Sequence, residues 1–266
     1  MMGQPFNALV STGAGHRQPP PAQNASKTRL LNAALHLIRS KGYASTAVDD
    51  ICHEAGVTKG SFFHHFKSKD DLALAAVAHW RTMTEGFFAS APYHQAPDPL
   101  DRLLGYLDFR AAILTGELAD YTCLLGTLVQ ETYATHPEVR AACEQALSAH
   151  IAELTRDVEA ARQLYAANAS WSAQSVGNFI QAVLQGSFIF AKAEQSPEVI
   201  RENLEHLRRS LRALFQPDGH VQSKKTERPP KASYLFATKQ EAPTLSHRHK
   251  TEEQEEYDSH RSHYTD

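Results

Sequence analysis

Cysteine is scarce: Cys52, Cys123 and Cys143 are the only three in 266 residues. Three scattered thiols make neither a disulfide scaffold nor a zinc cluster, and they suit a reducing compartment. An excess of one charge is missing too. Lys and Arg number 27 against 30 Asp and Glu, a net −3, which excludes a histone-like polycation but not a nucleic-acid binder with local positive charge. The first residues have neither the basic start nor the apolar run of a signal peptide, so a cytoplasmic location is expected. There is no phosphate-binding glycine loop, zinc-protease helix or nucleophile elbow. No catalytic residue, cofactor or metal is therefore expected, and the chain is read as not an enzyme.

A long apolar run is also absent, although one stretch imitates it. Residues 163–191 are 29 consecutive uncharged positions, long enough to span a bilayer. Ten of them are Gln, Asn or Ser, each costly in hydrocarbon without a partner. The reading is no membrane partner, but a helix buried inside the protein or against a second subunit.

What is present is organised by segment. Residues 1–23 carry +1, and residues 24–74 carry 7 basic and 5 acidic side chains, hence +2, with four histidines. Residues 75–216 carry 11 and 16, hence −5, and residues 217–266 carry 8 and 9, hence −1. A small basic domain precedes a larger acidic one, as expected when only the first meets a polyanion. The Pro-, Ala- and Gly-rich opening, 1–23, and the polar tail, 217–266, read as disordered. The acidic end of the tail is read as solvated in preference to an arm that competes with DNA. Between these ends the apolar spacing is helical: Leu30, Ala34, Leu37 and Ile38, then Val48, Ile51, Cys52 and Ala55, then Val139, Cys143, Ala146, Leu147, Leu154 and Val158. Ile200, Leu204, Leu207, Leu211 and Leu214 form a coiled-coil-like seam. No stretch alternates as a strand does. The fold is expected to be all-α.

Residues 45–66 carry the strongest signal. Ser45 and Thr46 are expected to cap a short helix, with Asp49 closing a capping box on Thr46. Gly56 ends that helix, Thr58 starts a second running to about Phe66, and Ser68 and Asp71 cap a longer one. Two short helices across a glycine turn, braced by a helix over 26–41, make a helix-turn-helix whose second helix enters the major groove. Phe62 and Phe66 read as core aromatics. His64 and His65 do not read as a metal pair, because adjacent helical residues diverge by about 100°.

The run 27–74, above all Gly56-Val-Thr-Lys-Gly-Ser-Phe-Phe-His-His-Phe66 with Ser68-Lys-Asp-Asp-Leu72, resembles the DNA-binding domain of TetR-family transcriptional regulators. The resemblance implies a helix-turn-helix domain, 24–74, followed by a larger helical domain, 75–216, for effector binding and dimerisation. It implies a homodimeric repressor that binds a palindromic double-stranded DNA operator through helix 58–66 and is released by a small-molecule effector. The implied DNA-binding residues are Thr46, Thr58, Lys59, Gly60, Ser61, Phe63, His64 and Lys69, with Thr46 and Lys69 on phosphates. Thr46, Lys59, Ser61, His64 and Lys69 should share one exposed surface. Phe63 stands where the family often has Tyr, so a phosphate contact through a hydroxyl is lost there. That departure favours the alternative of a small-molecule-binding or enzymatic helical protein with a vestigial DNA-binding domain.

Residues 121–140 more weakly resemble the effector domains of a TetR branch with a cysteine at a helix start, where some members respond to electrophiles. Thr122 stands where Gly is common. Cys123, expected in a first helical turn, is a candidate thiol sensor or a small buried hydrophobe, and a non-covalent ligand is the favoured signal. Cys143 reads as inert packing. The candidate pocket residues are Tyr106, Cys123, Tyr133, His150, Trp171, Gln174, Asn178 and Gln181. The dimer contact is expected from residues about 172–215, with Gly177, Ala182, Gly186 and Ser187 allowing close approach and the leucine seam adding a second stripe.

Overall fold

The computed structural model describes residues 22–215. Residues 1–21 and the tail 217–266, both expected to be disordered, lie outside them. Ala22 and Gln23 do not belong with the expected disordered opening, since helix α1 (Ala22–Lys41) begins with them, four residues before the expected start. Both residue types extend a helix at little cost. The helices α2 (Val48–Glu54), α3 (Lys59–His65) and α4 (Lys69–Ala89) follow. A 3-10 turn (Pro92–Gln95) leads into α5 (Pro99–Ala112), α6 (Leu118–Tyr121), α7 (Leu124–Thr132), α8 (Pro137–Tyr165), α9 (Ala173–Glu194) and α10 (Glu198–Leu214). Among the described residues there is no strand. The uncharged stretch divides between the end of α8, a connection and α9, and no described helix is long and apolar enough to cross a membrane.

Local chemistry sets most of the boundaries. Thr58 caps α3 by accepting from the Ser61 N–H at 3.2 Å, and Ser68 caps α4 by accepting from the Asp71 N–H at 3.1 Å. Gly56, at φ +59°, ends α2 in the left-handed conformation that costs a side-chain-bearing residue most. The expected cap of α2 needs correction. Ala47, not Ser45 or Thr46, is its N-cap residue, and the carboxylate of Asp50, not Asp49, accepts from the Ala47 N–H at 3.0 Å. Thr46 is buried and donates its hydroxyl back to the Gly42 carbonyl at 2.6 Å, so it serves the preceding turn.

Two cores meet along α8. The first gathers Leu30 and Ile38 of α1, Ile51 of α2, Phe62 of α3 and Leu72 of α4 with Leu124 and Leu128 of α7 and Val139 and Cys143 of α8. The second gathers Phe88, Leu103 and Tyr106 with Leu154 and Val158 of α8, Ile180 and Leu184 of α9 and the α10 leucines. The 29 residues of α8, roughly 43 Å of helix, therefore run through both. α4 crosses the expected domain boundary at residue 74 without a break.

The leucine seam is not a free stripe. Ile200, Leu204, Leu207 and Leu211 are all buried within the chain, because α9 and α5 pack over them. The small residues of α9 divide as well. A Cβ on Gly177 would lie 2.5 Å from the Thr155 hydroxyl, and Ser187 is buried and accepts from Asn203 at 3.0 Å, so both serve packing within the chain. A Cβ on Gly186 would meet nothing within 4 Å among the described residues. Phe179, Ile189 and Phe190 are exposed at 42%, 50% and 58% on α9, and Ala182 and Ala193 are exposed with them.

Phe62 and Phe63 adjoin on α3 but lie at 0% and 55% exposure. Phe62→Ala should cost about 3–5 kcal/mol by emptying the shared core, whereas Phe63→Ala should change stability by no more than about 0.5 kcal/mol. Urea denaturation of the two variants measures both, and equal costs would mean that α3 is seated differently.

Candidate nucleic-acid interface and ligand cavity

The N-terminal end of α3 presents a polar, basic surface. Thr58, Lys59, Gly60, Phe63 and His64 are exposed and Ser61 is half-buried. Lys59 pairs with Asp49 at 2.8 Å across the turn, both side chains well exposed, so water and salt weaken that pair. His65 turns the other way and hydrogen-bonds Ser26 of α1 at 2.7 Å. The exposed face therefore holds six of the eight expected residues.

Thr46 and Lys69 are the two corrections. Thr46 is fully buried, so its hydroxyl is not on the shared surface. Lys69 is half-buried: its ammonium donates to the carbonyls of Tyr43 at 3.0 Å and Thr46 at 3.2 Å and sits 4.2 Å from the Tyr43 ring centroid. It braces the α1–α2 connection, which local sequence pattern could not reveal because its partners lie 26 and 23 residues away.

That connection is also held from α7. The Glu131 carboxylate accepts from the Tyr43 N–H at 3.0 Å and the Ala44 N–H at 2.8 Å. Tyr43 donates its hydroxyl to Asp70, which also faces His136 at 3.4 Å, and the His136 ring meets the Tyr43 ring edge-on at 5.6 Å. Burial and the hydrogen bond to Asp70 push the Tyr43 hydroxyl well above its ordinary pKa, so it stays protonated and donating. The Glu131 clamp had no sequence signal beyond an acidic residue at the end of a helix.

A cavity of about 60 Å³ lies between α4, α5, α6, α7, α8 and α9. Of the eight expected pocket residues, Cys123, His150 and Gln181 line it. Tyr106 does not. It is buried behind the wall, and its hydroxyl hydrogen-bonds His150 Nε2 at 3.1 Å. Tyr133 is 62% exposed, Trp171 packs edge-on against Phe215 at 5.2 Å, and Gln174 bonds Asn178 at 3.0 Å on the exposed face of α9. Helical spacing alone does not tell which face of α9 turns inward. Sequence reasoning missed Arg110, Trp80 and Gln185, which line the cavity. The available signal for Arg110 was an isolated cation in the aromatic run Tyr106–Phe109.

Cys123 is the N-cap residue of α7 rather than a member of its first turn, and makes no side-chain cap hydrogen bond. Thr122 has φ −85° and ψ 160°, open to any residue, so its place does not require glycine. Burial pushes the Cys143 thiol up to about 12, in keeping with inert packing. Cys123 also borders a second, more open crevice of about 330 Å³ that reaches Arg39, Gly42, Glu131 and Lys192. Arg39 is almost wholly buried, donates to the Leu35 carbonyl at 2.9 Å and stacks 4.8 Å from the Trp80 ring. Burial lowers its pKa to about 10, against the opposing pull of Asp120 and Cys123.

The comparisons agree with this architecture. Residues 30–76 match the family model for bacterial regulatory proteins of the tetR family, and residues 99–207 match that for the tetracyclin repressor-like C-terminal domain. The chain belongs to the TetR family of transcriptional regulators. It is 27% identical over 186 residues to an HTH-type transcriptional regulator of Lactococcus lactis, covering 70% of this chain and 93% of that one. It is 28% identical over 187 residues to the transcriptional regulator AcuR of Cereibacter sphaeroides, covering 69% and 84%. Among solved structures it is similar to a regulatory protein TetR from Rhodobacter sphaeroides, with TM-score 0.63, 26% identity and 71% and 98% of the two chains covered.

The cavity wall gives this regulator a pH signature. Burial, with the positive charge of Arg110, lowers His150 from 6.5 to about 4. Folded His150 therefore stays neutral while the unfolded chain takes up a proton, so its stabilisation is complete above pH 6.5 and fades as pH falls toward about 4. The melting temperature should drop across that interval, and the drop should be shallower in His150→Gln. Parallel curves for the two proteins would place the titrating group elsewhere.

Proposed function

We propose that the chain is a homodimeric repressor that sets α3 of each protomer into the major groove of a palindromic operator and is released when a small-molecule effector fills the cavity. The observation that carries this reading is the clamp from Glu131 to the Tyr43 and Ala44 N–H groups. It joins the far end of α7, whose N-cap residue Cys123 lines the cavity, to the helix-turn-helix unit. The match to a repressor-like C-terminal domain supports the direction of control. Lys59, Gly60, Ser61, Phe63 and His64 face the DNA, with Thr58 at the mouth of the helix. Phe63 has no hydroxyl for a phosphate, and its exposed ring suits an apolar base edge such as the thymine methyl. The relatives matched along the chain are regulators of transcription, and no catalytic role is assigned.

DNA from upstream of the protein's own gene is the substrate for the test. Fluorescence anisotropy should show stoichiometric, salt-sensitive binding, and Lys59→Ala should weaken it and lower the salt slope by about one unit. Tight binding by Lys59→Ala at every salt concentration would rule out this docking.

The apolar stripe of exposed Phe179, Ala182, Ile189, Phe190 and Ala193 on α9, with half-buried Gly186 among them, is the face assigned to the second protomer. Gly186→Glu tests it cleanly, because nothing among the described residues occupies the space and Glu favours a helix more than Gly does. Light scattering should report a folded monomer that has lost operator affinity. A dimer of unchanged DNA affinity would move the interface off α9.

A further inference from the structure

The charges around the cavity balance except for one. Arg81 pairs with Glu85 at 3.2 Å. Arg39 is attracted to Asp120, whose carboxylate also accepts from the Glu117 N–H at 2.9 Å. His150 is neutral at physiological pH for the reasons given above. Arg110 stands apart. Among the described residues its guanidinium meets the faces of Phe88, Tyr106 and Phe188, at 5.3, 5.9 and 5.4 Å, and no carboxylate. Aromatic faces soften a half-buried cation without neutralising it. Gln181, 6% exposed on the facing wall, has a side-chain carbonyl with no donor among the described residues. A buried acceptor left without a donor is costly, and an occupant that supplies one relieves that cost. Trp80, Phe88, Ile113, Leu125 and Leu147 make much of the remaining wall apolar, with Thr84, Thr122 and Gln185 as its further polar members.

We propose that the cavity, widening beyond its about 60 Å³ as the ring enters, binds a small aromatic carboxylic acid that also carries a hydroxyl: the carboxylate pairs with Arg110 and the hydroxyl donates to Gln181 Oε1. The proposal rests on the reading of this cavity as the effector site, and it names the effector's chemical class. A charge-assisted pair in a partly desolvated pocket is strong enough to select acid over amide, and the second contact selects among acids.

The probes are benzoate, the three hydroxybenzoates and the matching hydroxybenzamides, titrated calorimetrically into the full-length protein. At least one hydroxybenzoate should give saturable heat and bind more tightly than benzoate. Its amide should bind about ten- to a hundredfold more weakly, as should the acid to Arg110→Gln. Gln181→Leu should erase the preference for the hydroxy acid over benzoate. The acid–amide comparison uses the parent protein, so it decides the matter even if a variant fails to fold. No saturable heat from any acid, or an amide that binds as tightly as its acid, overturns the proposal. The same acids added to the DNA complex separate the two readings. An acid that binds through Arg110 without releasing DNA leaves the anion site standing and removes its role as effector.

Discussion

The carboxylate of Glu131 is the joint on which the rest depends. It accepts two consecutive backbone N–H groups, from Tyr43 and Ala44, in the connection between α1 and α2. A side chain at the preceding residue would forbid this. Gly42 has φ +90°, and a Cβ there would lie 2.6 Å from Glu131 Oε1. The same connection is gripped from the other side by Lys69, which donates to its carbonyls, and by Asp70, which accepts from Tyr43. Backbone donors and acceptors of one short segment are thus divided between α7 and α4. The helix-turn-helix unit does not close a core of its own either, since Leu124, Leu128, Val139 and Cys143 complete it.

This arrangement makes α7 a short lever. Its nine residues, roughly 13 Å, have Cys123 and Leu125 in the cavity wall at one end and Glu131 at the clamp on the other. A second link runs in parallel: Arg39 of α1 stacks on Trp80 of α4, and Trp80 lines the cavity. In the proposed mechanism an occupant acts by favouring one placement of these two links over another. Binding equally well to both placements would change nothing, however tight it was. Half-sites on DNA lie about 34–36 Å apart, so a small rotation repeated in two protomers suffices to break the match.

What was legible in the sequence was what is local. The caps at Thr58 and Ser68, the glycine turn at Gly56 and the inward Phe62 and Phe66 each depend on residues within about four positions. The start of α2 lies one residue beyond its local signal, because Ser45 and Thr46 are good caps in isolation. A carbonyl four residues back and the carboxylate of Asp50 decided otherwise. The leucine seam of α10 is legible as a stripe, but the partner that covers it is not. A periodic stripe states that something covers it, and here α9 and α5 of the same chain do. The cavity is least legible: its wall draws on six helices, and the sequence does not order faces between helices.

The inward and outward faces of α9 then explain why its sequence carries no charge before Lys192. Val176, Ile180, Leu184 and Phe188 fill the second core, while Phe179, Ile189 and Phe190 stand exposed on the opposite side. A helix apolar on both faces is marginal at a water surface and reasonable between two bodies. Three of its polar residues have specific inward tasks: Gln181 and Gln185 in the cavity wall, and Ser187 accepting from Asn203 of α10. Lys192, the only cation on this helix, is half-buried and donates to Thr127 of α7 at 2.7 Å, with burial lowering its pKa. In the proposed dimer, α9 is therefore the element through which one protomer's cavity, its lever helix and the partner's matching face are mechanically continuous. An occupied cavity in either protomer would then bear on the spacing of both reading helices.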